Sequence, residues 1–339
     1  MRALCGVLLV VAAVVGLIAA GPPGGQASEQ MFANGLLPPV TLPADNPQTG
    51  AKVRLGAQLY FETLLSQDRT VSCASCHDPD KGWADPRPVS EGVGHAKGAR
   101  NAPTVLNAAY HRVQFWDGRA ATLEDQALGP IQNPVEMQMT MPMALDRLKG
   151  ISGYVAQFRE VFDSEPTDRT VALAIAAFER TVVSTNSAYD RYIQGDREAL
   201  TDSARRGLDL FRGRAHCITC HSGPNFTDSG FHNLGVGYAQ GTFADVGRQK
   251  VSGKVRDTGA FKTPGLRSVE LTAPYMHDGS EPTLERVIDL YNRGGIRNPY
   301  LDPKVLPLHL SGREKADLVA FLKALTGEPL KITRPELPQ

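Results

Sequence analysis

Cys73-Ala74-Ser75-Cys76-His77 and Cys217-Ile218-Thr219-Cys220-His221 are the stretches whose reading decides the fold. In each, two thiols stand close together with an imidazole directly behind them. That spacing lets both thiols add across the vinyl groups of one haem while the histidine swings beneath the iron as its proximal ligand. A redox dithiol or a zinc site also uses Cys-x-x-Cys. Two copies, each followed at once by histidine, point instead to two covalently bound haem c groups.

Outward from these motifs, cysteine usage is simple. The only other cysteine is Cys5, so no pair is left for a disulfide. Arg2, an apolar run over residues 8–20 and a small, polar stretch over residues 21–28 read as a signal peptide occupying residues 1–27. The run is shorter than the roughly 20 apolar residues a membrane span needs. Export, to a bacterial periplasm, is the expectation, and an uncleaved anchor is the alternative. The rest divides into a first haem domain over residues 28–195 and a second over residues 196–339, on the usual domain size. Lys plus Arg and Asp plus Glu are both 36, which gives no bulk-charge argument for nucleic acid or an anionic membrane.

The periodicity is mainly helical. Ala57, Tyr60, Phe61 and Leu64 follow the i, i+3, i+4, i+7 spacing of one buried helical face. Leu208 and Phe211 lie on a comparable stretch before the second motif, and the similarity of residues 55–61 to residues 207–211 hints at internal duplication. Asp168 can cap a helix with the stripe Val171, Ile175, Phe178, Val182. Ser311 and Glu314 form a capping box before Leu318, Phe321, Leu322 and Leu325, with Gly327 and Pro329 as the stop. No series of alternating strands is present. The expected fold is therefore mostly α: two cytochrome c-like haem domains, with long loops packed around an inter-haem interface. Residues 78–103 and 222–265 are those loops, rich in Gly and Pro, and a haem gives them something to wrap. Met137, Met139, Met141 and Met143 alternate, a pattern that suits either apolar lining or Cu(I) bound by thioethers.

The chain resembles the bacterial di-haem cytochrome c peroxidases and their MauG-like relatives over roughly residues 51–325. Beyond the haem motifs, the resemblance rests on residues 100–104 (Arg-Asn-Ala-Pro-Thr), 115–119 (Phe-Trp-Asp-Gly-Arg), 133–137 (Asn-Pro-Val-Glu-Met), 231–233 (Phe-His-Asn) and 273–279 (Ala-Pro-Tyr-Met-His-Asp-Gly). It implies that peroxide is reduced at the N-terminal haem on His77, and that the C-terminal haem on His221 takes in electrons and passes them on. Gln126 and Glu136 would line the distal side of the first haem. A carboxylate there can move a proton between the peroxide oxygens, and an amide can orient them; without the surrounding motif Glu136 reads as a solvated loop acid. Pro130 falls in the same pocket and offers packing. Trp116 matches a tryptophan between the haems, as electron relay, core residue or both, whereas Trp83 reads as packing. A calcium ion is implied at the junction, held by Asn101, Thr272 and Pro274, whose hard oxygens suit it.

The second axial ligands stay open at this level. Opposite His221 the resemblance places Tyr291, where the peroxidases carry methionine and MauG-like proteins tyrosine; Met276 is the alternative. His95, on the loop before Arg100, is either a gating ligand of the first haem or an exposed loop histidine. His232 and His277 lie in family motifs; His111, His216 and His309 carry no signal. Three functions follow as expectations. The first is a peroxidase fed by a small soluble cytochrome c or cupredoxin. The second is a MauG-like oxidase that uses peroxide to oxidise tyrosine or tryptophan of a partner protein, and the third a non-catalytic electron carrier. A homodimer is among the assemblies the resemblance admits.

Overall fold

The computed structural model describes residues 35–328, 330 and 332–339. The signal-peptide reading, Cys5 and the Pro329 stop lie outside them. In chain order the helices are α1 (Gly50–Phe61), α2 (Cys73–Cys76), α3 (Leu123–Gln132), α4 (Met141–Lys149), α5 (Ser152–Phe162) and α6 (Asp168–Glu179). They continue with α7 (Ala188–Ile193), α8 (Asp202–Arg212), α9 (Gln249–Ser252), α10 (Leu284–Asn292) and α11 (Gly312–Lys323). The strands are two-residue pieces: β1 (Phe231–His232) pairs antiparallel with β4 (Phe261–Lys262), and β2 (Tyr238–Ala239) with β3 (Thr242–Phe243). The mostly-α expectation holds. No helix among the described residues is long and apolar enough to cross a membrane.

Local chemistry sets the helix ends. Ser311 and Glu314 make the expected reciprocal capping box on α11. On α6 the cap is one residue earlier than the sequence reading: Thr167 Oγ1 accepts from Thr170 N at 3.1 Å, and Asp168 takes the first helical position. There its carboxylate still meets the positive end of the helix dipole. The buried face of α1 also differs. Leu55, Leu59 and Tyr60 are fully buried, Ala57 and Phe61 half-buried, and Leu64 falls on a separate 3₁₀ turn. The cause is Gly56, which turns that side of α1 onto α6.

A Cβ on Gly56 would stand 1.9 Å from the Ala174 carbonyl oxygen, so only glycine lets the two helices cross this closely. The same crossing occurs again in the second half, where a Cβ on Gly207 of α8 would stand 2.0 Å from the Asp317 oxygen of α11. Each crossing carries an aromatic trio. Tyr60 and Phe178 are 5.1 Å apart at 61°, with Trp83 at 5.7 and 6.0 Å. Phe211 and Phe321 are also 5.1 Å apart at 61°, with Phe226 at 5.9 and 6.2 Å. Trp83 is thus a core residue. Met137, Met139 and Met141 are buried in the first core and Met143 is 48% exposed, the distribution of apolar lining.

A second repeat, invisible to periodicity, runs between the crossings. Residues 98–130 stand in gapless register with residues 259–291. Asn107 and Ser268 take the same left-handed conformation (φ 60° and 57°) before matching turns, Ala108–Tyr110 and Val269–Leu271. Antiparallel bridges close the next turns at Gln114–Ala120 and Tyr275–Glu281. Thr122 and Thr283 then cap α3 and α10. The two copies clasp each other reciprocally: Asn101 N donates to His277 O at 2.8 Å, and its counterpart Lys262 N donates to Trp116 O at 2.7 Å. His277 is the counterpart of Trp116, so the junction has approximate twofold symmetry.

Candidate haem sites

Each Cys-x-x-Cys-His motif opens onto its own cavity. The first, about 920 Å³, is lined by Cys73, Cys76, His77, Gln126, Pro130, Glu136 and Glu179 among others. The second, about 260 Å³, is lined by Cys217, Cys220, His221, Met276, Val287 and Tyr291 among others. Asn101, Pro103, Phe115, Trp116 and His277 line both, forming the wall between them. Trp116 is fixed there by its indole N–H, which donates to the Asn101 carbonyl at 2.9 Å.

In the first cavity, Gln126 and Pro130 sit one turn apart on α3 and face the same way. Pro130 has no N–H to give the Gln126 carbonyl, so the helix is loosened at the cavity edge. After α3 the chain turns back on itself to bring in Glu136. Asn133 Nδ2 donates to Glu136 Oε1 at 2.7 Å, and Val93 N donates to the Glu136 carbonyl at 2.8 Å. The Val93 contact needs Gly92, whose Cβ would lie 2.3 Å from that carbonyl oxygen. Burial pushes the Glu136 carboxyl above the ordinary range, with Arg119 and the Asn133 amide opposing. Glu179 is buried more completely: burial raises it to about 8, and its Oε2 has no hydrogen-bond partner. Arg100 braces the wall by bonds to Asp117 at 2.7 Å and to Asp245 at 2.6 Å.

In the second cavity the counterparts of Gln126 and Pro130 are Val287 and Tyr291, on the matching face of α10. The Tyr291 phenol is pushed well above its ordinary range, chiefly by burial. Met276 also lines this cavity, with φ at 72°. Backbone groups face both proximal imidazoles. His221 Nδ1 lies 2.9 Å from the Phe226 carbonyl, which fixes Nδ1 as the N–H and leaves Nε2 for a metal. The His77 ring is buried as well; burial lowers its pKa, and backbone hydrogen bonding with Pro103 and Trp83 opposes that shift. His232 sits between Asp302 (2.6 Å) and Asp228 (3.0 Å), and its pKa is raised to about 10, chiefly by Asp228, then by Cys220.

The residues fit haem. The four cysteines of the two motifs are free, so each pair is available for thioether bonds. Burial raises the Cys73 thiol, and Cys217's to about 12. A reactive redox dithiol requires the opposite shift. Burial likewise lowers both proximal histidines, keeping the imidazoles neutral as a ligand must be.

At the junction, Asn101, Thr272 and Pro274 line one cavity. Asn101 Nδ2 is taken by the carbonyls of Arg87 (3.2 Å) and Pro88 (3.3 Å). Its Oδ1 and the carbonyls of Thr272 and Pro274 receive no hydrogen bond from any described residue. Three oxygens without donors suit a hard cation. His95 is not brought to either cavity: its ring is 92% exposed and faces Glu91, with Nδ1 3.7 Å from the carboxylate. His216 lines the second cavity without an assigned partner role, and His111 contacts Lys262.

Residues 50–198 match the family model described as di-haem cytochrome c peroxidase. The methylamine utilization protein MauG of Methylorubrum extorquens is 44% identical over 300 residues, 87% of this chain and 84% of that protein. The chain belongs to the di-haem cytochrome c peroxidase family. The cytochrome-c peroxidase IdrP1 of Denitromonas iodatirespirans is 40% identical over 90% of this chain and 89% of its own length. A solved MauG-like protein associated with microbial copper homeostasis superposes with a TM-score of 0.81 at 35% identity, covering 86% of this chain and 94% of that one.

Two haems per chain are accordingly what this family member carries. Its sequence concealed two cavity residues. Glu179 and Lys262 look like ordinary surface charges until the fold buries them. The gapless register of residues 98–130 with 259–291 would have placed Lys262 opposite Asn101.

Proposed function

We propose that this chain is an exported peroxidase that reduces hydrogen peroxide to water in the His77 cavity, with electrons received in the His221 cavity from a small soluble cytochrome c or cupredoxin. Two cytochrome c-like domains, over residues 28–195 and 196–339, and a periplasmic site of action belong to the same reading. The observation that carries it is that Gln126 and Glu136 gather in one cavity only, while Val287 and Tyr291 face the other. The chain is an oxidoreductase acting on peroxide, as the relatives named cytochrome-c peroxidase support.

Bound haem would supply redox-active iron at each site. The chain supplies the rest. Glu136 takes the proton from the inner oxygen of hydrogen peroxide and returns it to the outer oxygen, which departs as water. The Gln126 amide orients the peroxide by hydrogen bonds. Two electrons and two protons convert each peroxide to two waters. Pro130 gives packing without a competing ligand atom, and Trp116 offers an oxidisable ring in the shared wall. Cys73 and Cys76, and Cys217 and Cys220, would anchor the two groups, with His77 and His221 as proximal ligands. In the second cavity Tyr291, with Met276 as the alternative, would hold the iron together with His221. His95, turned outward, is assigned no ligand role, which leaves the His77 cavity open. Asn101, Thr272 and Pro274 would hold a calcium ion that stiffens the junction.

A MauG-like oxidase is the second reading, favoured by the phenol of Tyr291 and by the relative of that name. A carrier without catalysis leaves Gln126 and Glu136 without a task. Steady-state turnover of the two-haem protein with peroxide and a reduced small cytochrome c separates the first two. Sustained oxidation of the donor is expected. Negligible donor oxidation beside rapid formation of a stable, doubly oxidised two-haem state would favour the oxidase.

A further inference from the structure

Lys262 is a buried cation without a counter-charge. It is 8% exposed, and its Nζ meets one partner, His111 Nδ1, at 3.3 Å. Burial lowers the lysine to about 8. Burial also drives His111 well below its ordinary range, and the charge of Lys262 adds to that effect. His111 is therefore neutral, and its Nδ1 accepts from the lysine. An ammonium carries three N–H donors, so two remain without an acceptor. Such a group is strongly unfavourable inside a protein unless something anionic faces it.

What it faces is the second cavity. Lys262 and His111 both line that cavity, and neither lines the first. The strand fixes the direction: Phe261 turns one way, to stack on His277 at 3.6 Å, and Lys262 turns the other, toward His111. The Lys262 backbone is tied to the dividing wall, its N donating to the Trp116 carbonyl at 2.7 Å. Other cations of the second cavity are provided for. Arg267 is bound by Asp190 at 2.9 Å and by the Pro224 carbonyl at 2.7 Å. His232 lies between Asp228 and Asp302, and Lys304 is exposed to solvent. Among the described residues lining this cavity, Lys262 is the buried cation that no carboxylate answers. A haem brings two carboxylates of its own, the propionates, and each would be buried at similar cost without a cation.

We propose that Lys262, positioned by His111, receives a propionate carboxylate of the His221 haem beside Trp116. The proposal rests on a haem occupying the second cavity, and it names the residue that answers the haem's charge. A cation held there favours the reduced, less positive iron, so Lys262 would raise the potential of the haem that takes in electrons.

A crystal structure of the haem-loaded wild type, with redox titrations of K262M and K262R beside it, tests this. Lys262 Nζ is expected within about 3.2 Å of a propionate oxygen of the His221 haem. In K262M the midpoint potential of that haem should fall, and in K262R, which keeps the charge, it should stay nearer the wild-type value. A haem bound to Cys217 and Cys220 with no propionate oxygen in hydrogen-bond reach of Nζ would overturn the proposal and leave the haem reading intact. An unchanged potential in K262M, or equal shifts in K262M and K262R, would also overturn it. No haem on Cys217 and Cys220 would sink the haem reading and the proposal together. Should the variants fail to take up both haems, the wild-type distance decides alone.

Discussion

Facing inward beside His77 are Gln126 and Pro130 of α3, joined by Glu136 and Glu179; beside His221 the corresponding positions of α10 hold Val287 and Tyr291. Around the two cavities the frame is the same. The glycine-mediated helix crossings and the aromatic trios agree to within a few tenths of an ångström. The repeated frame accompanies both cavities, and a handful of side chains distinguish them. The first cavity has an acid, an amide and no ligand atom at the Pro130 position. The second has an apolar wall and a phenol there.

The sharpest way to break this comparison is to remove one haem at a time. Replacing Cys73 and Cys76 by serine should leave one haem per chain and abolish the spectral response to peroxide. The same change at Cys217 and Cys220 should also leave one haem and stop steady turnover, yet preserve a response to peroxide. A smaller but pointed effect is expected from exchanging the divergent position. P130Y should suppress peroxide turnover by placing a phenol in the first cavity. Y291F should alter the absorption spectrum of the second haem while the first still reacts.

The shared frame can be tested by its glycines. G56A and G207A each force a Cβ onto a carbonyl of the crossing helix and should cost about 1–3 kcal/mol or more in denaturant unfolding. Similar losses in the two variants would support the duplicated frame; a loss in only one would break it. The smallest effect concerns His232. Its folded pKa is raised above the ordinary 6.5, chiefly by Asp228, so its stabilising contribution is full below pH 6.5 and is lost as pH rises through the raised value. Part of that rise comes from the Cys220 thiol, which a thioether would remove, so Asp228 and Asp302 carry what remains. H232N should flatten the decline of melting temperature over that window.

How much of this was legible beforehand depends on where the chemistry is written. The haem motifs were readable because thiol spacing and an adjacent imidazole are a local code. Helix caps were readable to within a residue: Ser311 was found, while Asp168 yielded to Thr167 because either side chain can accept from a helical N–H. The face of α1 was misjudged because Gly56, which leaves no hydrophobic signal, sets the helix contact. Glu179 and Lys262 were beyond periodicity altogether, since their burial comes from segments far away in the chain. His95 was legible only as two alternatives, gating ligand or exposed loop histidine, and its ring faces Glu91 and solvent.

The central claim is that Glu136 makes the His77 cavity the reacting one. It is tested most directly by steady-state peroxide turnover, with a reduced small cytochrome c as donor, in wild type and E136Q carrying both haems. A general base must be deprotonated, so wild-type turnover should rise with pH through a value above the ordinary carboxylate range, as the burial of Glu136 requires. E136Q should fall by about 100-fold or more and lose that pH limb. Unchanged turnover in E136Q would contradict the account.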